Sequence, residues 1–323
     1  MSNKQPHNPV LLAKVLDALA PLKGRDIVDG TFGAGGYSLG FLQAGARVIA
    51  IDRDPNSIRF ANQLSKEWGE KFCFVLGQFS HLDEFVNEQV DAIVLDIGVS
   101  SMQLDEGMRG FSFMRDGPLD MRMSGEGASA ADLVNNLSEK QLSDILFAYG
   151  EEKRAKRIAN AIILARNENP IKTTLELANL IEKTVGKTGK IHPATKSFQA
   201  LRIAVNSEFD ELVAGLFAAE NLLKEGAILL VVSFHSLEDR IVKRFFASGS
   251  GSVSGSRHSP QIEQTAAVWQ EIAKPIKANR GEIESNPRSR SATLRFAIRS
   301  ASKARTPSVA GLGVPLSKGK NYA

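Results

Sequence analysis

With 323 residues the chain has room for two domains, or for one domain with a large insertion. Its 43% hydrophobic and 24% charged residues describe an ordinary globular protein, with no apolar run near the ~18 residues of a membrane span. A lone cysteine, Cys73, excludes an intramolecular disulfide and argues against a thiolate zinc site, and the polar stretch Met1–Pro9 has no signal-peptide core, so a cytoplasmic protein is expected. The net charge of +4 hides an asymmetry: Arg240 to Arg305 carries 13 lysines and arginines against four glutamates, which leaves residues 1–239 net acidic.

In chain order, Val10–Leu19 reads as a short amphipathic helix ended by Pro21 and Gly24. Apolar runs at Ile27-Val28, Val48–Ile51 and Ala92–Leu95 mark strands over 26–30, 46–52 and 91–96, with another at 72–77 and helices at about 37–44 and 55–67. That alternation predicts an α/β fold with a parallel, doubly wound, Rossmann-like sheet. The pattern breaks after Asp96. Residues 105–125 form a loop rich in Gly, Met, Phe and Arg, and helical patterns follow at about 138–149, 151–167 and 173–184 without a strand among them. This predicts an all-helical domain over 105–204, inserted into a discontinuous sheet domain made of 1–104 and 205–299. The sheet resumes with a helix at 195–224, Gly226, a strand over Ala227–Ser233 and a helix over Leu237–Phe246. Gly249–Ser256 is low-complexity and reads as a flexible loop. Pieces at 274–278 and 292–298 should close the sheet as an antiparallel edge, and 300–323, poor in large apolar residues, is expected to be a disordered tail. The basic C-terminal third would attract a polyanion, unless it is only a solvated surface.

The chemistry-bearing residues gather at strand ends. Asp29-Gly-Thr-Phe-Gly-Ala-Gly-Gly36 follows the first strand, and glycines such as Gly33, Gly35 and Gly36 allow positive φ and close approach of a ligand to the backbone. Ser38 replaces the third glycine of a dinucleotide fingerprint, so the loop alone is a weak signal. Asp52 ends the next strand, where a carboxylate can accept both hydroxyls of a ribose or cap the helix that begins at Pro55. Phe79 follows the third strand and would pack on an adenine ring or in the core. Asp96 ends the fourth. Carboxylates at the C-terminal ends of neighbouring parallel strands share one crevice. Three of them suit a ligand with hydroxyls and positive charge and would repel a pyrophosphate, which favours S-adenosylmethionine (SAM) over NAD.

At the fourth strand end the pattern becomes specific. Asp29–Gly36, Ile51-Asp-Arg-Asp-Pro55, Leu95-Asp-Ile-Gly-Val-Ser-Ser-Met-Gln-Leu-Asp105, Arg109–Arg122, Tyr149-Gly-Glu-Glu152, His192–Arg202, Ser233–Lys243 and Asn286–Ser291 together resemble one family, from about His7 to Arg299 and in order. It is the bacterial small-subunit ribosomal RNA methyltransferase H family, also called MraW. The resemblance implies a class I SAM-dependent methyltransferase sheet with an inserted helical domain. It also implies methylation of the exocyclic N4 of one cytosine in the decoding centre of 16S rRNA, so that the partner is 16S rRNA or the small ribosomal subunit. Carried onto this chain, the family's SAM contacts fall on Gly35, Gly36, Tyr37, Asp52, Phe79, Asp96 and Gln103, with Gly33 beside them in the glycine loop. Tyr37 stands where the family usually has histidine, and Met102 where proline is usual. If position 37 serves through its backbone, tyrosine changes little; if through an imidazole, SAM affinity is altered.

Thr195, Gln199, Arg202 and Asn206 recur at helical spacing as one polar stripe, with Phe198, Leu201 and Val205 on another face. Such a stripe suits RNA edges and phosphates, or simply solvent. Arg115 and Arg122, with Arg109, interleave with Phe111, Phe113, Met114 and Met121, which could stack a base beside bound phosphates or anchor the loop. His235, just past the strand ending at Ser233, is the candidate proton acceptor, with Ser236 and Asp239 read as a helix cap; Asp96 would polarise the amine. The inserted helices and the basic third would wall the RNA cleft. No metal is expected. Two other classes compete: an NAD-linked oxidoreductase, opposed by Asp29 and the missing glycine, and a non-catalytic RNA-binding assembly factor, opposed only by the intact cofactor loop. The oligomeric state, monomer or dimer, is left open by the sequence.

Overall fold

The apolar runs pair as strands of one mixed sheet. They are β1 (Asp26–Asp29), β2 (Arg47–Asp52), β3 (Phe72–Leu76), β4 (Val90–Asp96), β5 (Leu223–Ser233), β6 (Trp269–Ile272), β7 (Ile276–Lys277) and β8 (Thr293–Arg299). The computed structural model describes residues 9–187, 189, 191–251 and 266–315. The sheet order is β3-β2-β1-β4-β5-β8-β6, with β7 also pairing to β8. Strands β1 to β5 are parallel to their neighbours, and β8 runs antiparallel to β5. Along β4 every residue but Asp91 and Asp96 is buried, as expected for a parallel strand covered on both faces. The antiparallel closing strand is therefore as anticipated, although β6 and β7, not β8, lie at the margin.

The chain divides into two compact units. One comprises residues 1–98 and 210–314; the other is built on 99–209. In the sheet unit, α1 (Leu12–Leu19), α2 (Gly36–Gln43), α3 (Ile58–Trp68) and the short α4 (Leu82–Phe85) follow the strand alternation. Leu19, Ile27, Phe41, Ala50, Val94 and Leu230 belong to its apolar core. The other unit holds α5 (Ser101–Asp105), α6 (Ala130–Asn136), α7 (Glu139–Gly150), α8 (Ala155–Glu168), α9 (Thr174–Val185) and α10 (Thr195–Asn206), around its own core of Leu142, Ile145, Ile158, Ile162, Leu177 and Leu201. Serine or threonine capping boxes open four of these helices: Ser129 with Asp132, Ser138 with Gln141, Thr173 with Glu176, and Ser100 with Gln103. Helix α6 follows the first of them and went unread in the sequence.

The helix expected over 195–224 is two helices. Ser207 sits in the left-handed region at φ 49°, closing α10, and α11 (Glu208–Leu222) starts beyond it. Helix α12 (Ser236–Ser248) follows β5, and α13 (Arg280–Ser285) separates β7 from β8. Within the expected tail, residues 300–315 are placed by specific contacts. The Arg305 guanidinium pairs with the fully buried Glu220 carboxylate, donates to Ser248 Oγ at 2.6 Å and lies over the Phe245 ring. A buried carboxylate demands a cation, so this stretch is held where composition suggested disorder. Residues 316–323, and most of the low-complexity loop from 252 on, lie outside the described residues. Among the described residues no helix is long and apolar enough to cross a membrane.

Candidate active site

Strand register gathers the three acids. Asp29 pairs with Ala50 on β2 and Val94 on β4, so Asp52 and Asp96 each lie two residues beyond it at the same end of the sheet. This end is the carboxyl edge, and chain order reverses between β1 and β4, where open α/β sheets form their ligand crevice.

Each acid has a different environment. Asp29 is fully buried and accepts Ser38 Oγ at 2.7 Å and the Thr31 amide at 3.3 Å. Burial pushes its pKa up to about 6, and those hydrogen bonds restrain the rise. Thr31 in turn accepts the Asp96 amide on its hydroxyl at 2.6 Å, so the glycine loop is stitched to both β1 and β4. Asp52 accepts the Gly33 amide at 2.5 Å and the Asp54 amide at 2.8 Å; burial raises its pKa to about 6, against those two bonds. The cap before Pro55 is Asp54, whose side chain accepts from the Asn56 amide, so Asp52 is not needed for that task. Asp96 is the most perturbed. Its Oδ1 is shut off from solvent with no hydrogen-bond partner among the described residues, and burial, then the Asp29 and Glu238 carboxylates, hold its pKa well above the ordinary range.

The glycine loop has the conformation that its glycines permit. Gly35 has φ +81°, and a Cβ there would stand 2.8 Å from the Phe32 ring. Tyr37, on the first turn of α2, turns its side chain into the core: it is buried, stacked on Phe41, and its hydroxyl donates to the Val10 carbonyl. Phe79 begins the turn after β3. Its ring edge lies where a Cβ on Gly215 of α11 would fall, and Glu211 of the same helix accepts the Ser80 amide at 3.1 Å.

At the end of β5 the helix cap is His235, not Ser236. The imidazole Nδ1 accepts the Glu238 amide at 3.4 Å, and Glu238 Oε2 accepts the amides of Phe234 and His235 at 2.8 and 3.2 Å. Glu238 Oε1 also lies 2.9 Å from His235 Nε2. An imidazole nitrogen has replaced the usual hydroxyl of a capping box, which fixes the ring's orientation. Glu238 and Thr31 are the site residues that sequence reasoning missed. Only the i, i+3 spacing of Glu238 from His235 hinted at the first.

The residues of the helical unit behave otherwise than expected. Gln103 is buried in a capping box, its Oε1 accepting the Ser100 amide at 3.0 Å. The supposed polar stripe of α10 is mostly an internal fastening. Asn206, 3% exposed, donates to the carbonyls of Met121 and Arg202 and accepts the Met123 amide at 2.8 Å. Arg202 is paired with Glu208 through two 2.7 Å bonds, and Gln199 donates to the Tyr149 carbonyl. Thr195 alone of the four is exposed. Arg122 is forked onto Asp120, while Phe111 and Met121 are buried and Phe113 packs on His192 and Phe198. Phe111, Phe113 and Met121 therefore anchor the loop, and of its interleaved arginines and apolar residues Arg115 and Met114 are exposed. Similar consumption occurs in the basic third: Arg295 pairs with Asp239, Arg305 with Glu220, and Arg299 is buried.

Over residues 4–300 the chain matches the model of the MraW methylase family. The chain belongs to the MraW methylase family. Proteins named ribosomal RNA small subunit methyltransferase H are similar over nearly its whole length. That of Chelativorans sp. is 53% identical over 312 residues, 96% of this chain and 92% of the relative. That of Bartonella henselae is 55% identical over 296 residues, 91% of this chain and 86% of the relative. Among solved structures, an rRNA methylase from Streptococcus thermophilus aligns with a TM-score of 0.39 at 11% identity, covering 93% of this chain and 99% of that one, a likeness too loose to carry an argument. As a methylase of this family the chain is an enzyme, and S-adenosylmethionine is its methyl donor. The crevice fits that donor: Asp96 Oδ1 is a buried acceptor with no partner among the described residues, able to take a hydrogen bond or face a positive charge, beside a loop whose glycines leave the backbone open.

Proposed function

We propose that this enzyme methylates the exocyclic N4 of a single cytosine in the decoding centre of 16S rRNA, tuning the ribosomal P site, and that it acts in the cytoplasm on the rRNA or the small subunit. The observation that carries the reading is Asp96: a strand-end carboxyl at the sheet's switch point, whose Oδ1 is shut off from solvent and satisfied by no described residue.

S-adenosylmethionine, when bound, supplies an electrophilic methyl on a sulfonium. Asp52 is the residue to hold its ribose, because each carboxylate oxygen has accepted one amide and keeps a lone pair for a hydroxyl. The loop at Gly33, Gly35 and Gly36, the backbone of Tyr37, and the Phe79 ring would line the rest, with Gln103 as the contact that the family resemblance adds. Asp29, occupied by Ser38 and Thr31, organises the loop.

Cytosine N4 is a poor nucleophile because its lone pair is delocalised into the ring. As the N–C bond forms and the C–S bond breaks, N4 must shed a proton. Asp96 can accept an N4 hydrogen bond through Oδ1, and its raised proton affinity makes it the better acceptor of that proton. His235, held in place by Glu238, is the candidate to pass it on. The target base must leave its stack, which a single-stranded rRNA segment allows cheaply. The helical unit would supply RNA recognition, through Thr195 and Arg115 on its surface. Gln199, Arg202, Asn206 and Arg122 would serve indirectly, by shaping the loop.

Transfer of labelled methyl from SAM to small subunits tests the reading, with mass spectrometry to locate the product. Wild type should yield N4-methylcytidine in 16S rRNA, and Asp96→Asn should lower kcat by about 10²–10⁴-fold. Unchanged N4-methylcytidine in a strain lacking the protein would sink the assignment.

A further inference from the structure

Several of the cations that the sequence offered for RNA, Arg122, Arg202, Arg295 and Arg305, are spent on carboxylates within the fold. One group is not. Lys153, Arg154, Lys156 and Arg157, all exposed, line an open groove with Glu139 and Asn160, where the α7–α8 connection leads into α8. Asn160 donates to Glu139 at 3.2 Å, and the Arg154 guanidinium donates to the Val185 carbonyl, which fixes that side chain against the end of α9. Lys153, Lys156 and Arg157 make no hydrogen bond or ion pair among the described residues. Four cations therefore face one carboxylate. The grouping costs mutual repulsion, and among the described residues none of the four side chains is paired with a carboxylate, in contrast with Arg122 on Asp120 and Arg202 on Glu208.

We infer that this groove is a docking site for the phosphate backbone of the substrate RNA, with Lys153, Lys156 and Arg157 as the phosphate contacts and Arg154 as the fixed wall. The inference rests on the proposed rRNA substrate. Charge selects the occupant. A polyanion with regularly spaced, solvent-exposed phosphates satisfies several lysines and arginines together by releasing condensed counterions. The groove carries no exposed aromatic residue for stacking, so it would hold the strand without reading its sequence.

The test is a triple variant, Lys153→Gln with Lys156→Gln and Arg157→Gln, compared with wild type in binding to 16S rRNA at several salt concentrations and in methyl transfer to small subunits. We expect KM for the subunit to rise about tenfold or more, kcat at saturation to hold within about twofold, and the slope of log affinity against log salt to fall by about 2, near 0.7 for each single-strand phosphate no longer neutralised. SAM affinity and helix content by circular dichroism should match wild type, which reports an intact fold. If rRNA binding, KM and salt slope are unchanged, the groove does not hold RNA. If the variant loses affinity for subunits but not for naked 16S rRNA, the occupant is a ribosomal protein and the inference is overturned. If wild type itself transfers no methyl to small subunits, the substrate assignment fails instead, a separable result.

Discussion

Replacing Asp52 by asparagine separates the acid's burden on the fold from its use in binding. In the folded protein its pKa is about 6, raised from 3.8 chiefly by burial and further by the neighbouring Asp54 and Asp29 charges. A folded-state pKa above the unfolded one means that the native protein holds the proton more tightly. This contribution is therefore full below about pH 3.8 and lost as pH climbs through 6. At 1.36 kcal/mol per pKa unit the swing is about 3 kcal/mol, most of it between pH 4 and 7. Asparagine keeps one acceptor for the Gly33 or Asp54 amide and loses the other, a penalty that does not vary with pH. Urea denaturation of the SAM-free protein from pH 4 to 8 should thus give a wild-type curve that falls by roughly 2–3 kcal/mol more than that of Asp52→Asn. In the same variant the Kd for SAM should rise about ten- to a hundredfold, since hydrogen bonds to a charged group are worth about 1.5–3 kcal/mol. Parallel stability curves would refute the desolvated carboxylate. A SAM affinity unchanged at pH 8 would refute its role on the ribose.

Three further outcomes follow from side chains whose partners are now known. Tyr37→Phe removes only the hydroxyl on the Val10 carbonyl, so stability should drop by about 1 kcal/mol in thermal denaturation while SAM affinity stays within about twofold; a tenfold loss would show the ring acting on the cofactor. Asn206→Ala strips two buried hydrogen bonds from the Met121–Met123 loop, and a third to the Arg202 carbonyl within α10, and should cost about 2–4 kcal/mol, with RNA affinity at low temperature little changed if its task is internal. Gly35→Ala must place a Cβ 2.8 Å from the Phe32 ring at φ +81°, so SAM titration calorimetry should show binding weakened at least tenfold in a protein that still folds.

Much of this protein was legible in one dimension. Runs of Val, Ile and Leu that end in an acid or a glycine announce parallel strands, because only strands covered on both faces tolerate such runs, and the acids at their ends must then share an edge. Asp29, Asp52 and Asp96 follow from that alone. The long runs, Leu95–Asp105 above all, marked the family. Periodicity names a face but not what covers it. Thr195, Gln199, Arg202 and Asn206 did share a stripe, yet the loop at 121–123 closes over Asn206, and Glu208, beyond the break at Ser207, takes Arg202. Tyr37 turned inward because the Val10 carbonyl awaited a donor. His235 became a cap because Glu238 sits one turn on, and residues near Arg305 were held because Glu220 is buried and the guanidinium reaches both its oxygens. These outcomes depend on which polar groups lose water together, and that is settled by contacts between residues far apart in the chain. The sequence determined the sheet, the acidic edge and the family; the tertiary structure alone decided which polar side chains remain available to a ligand.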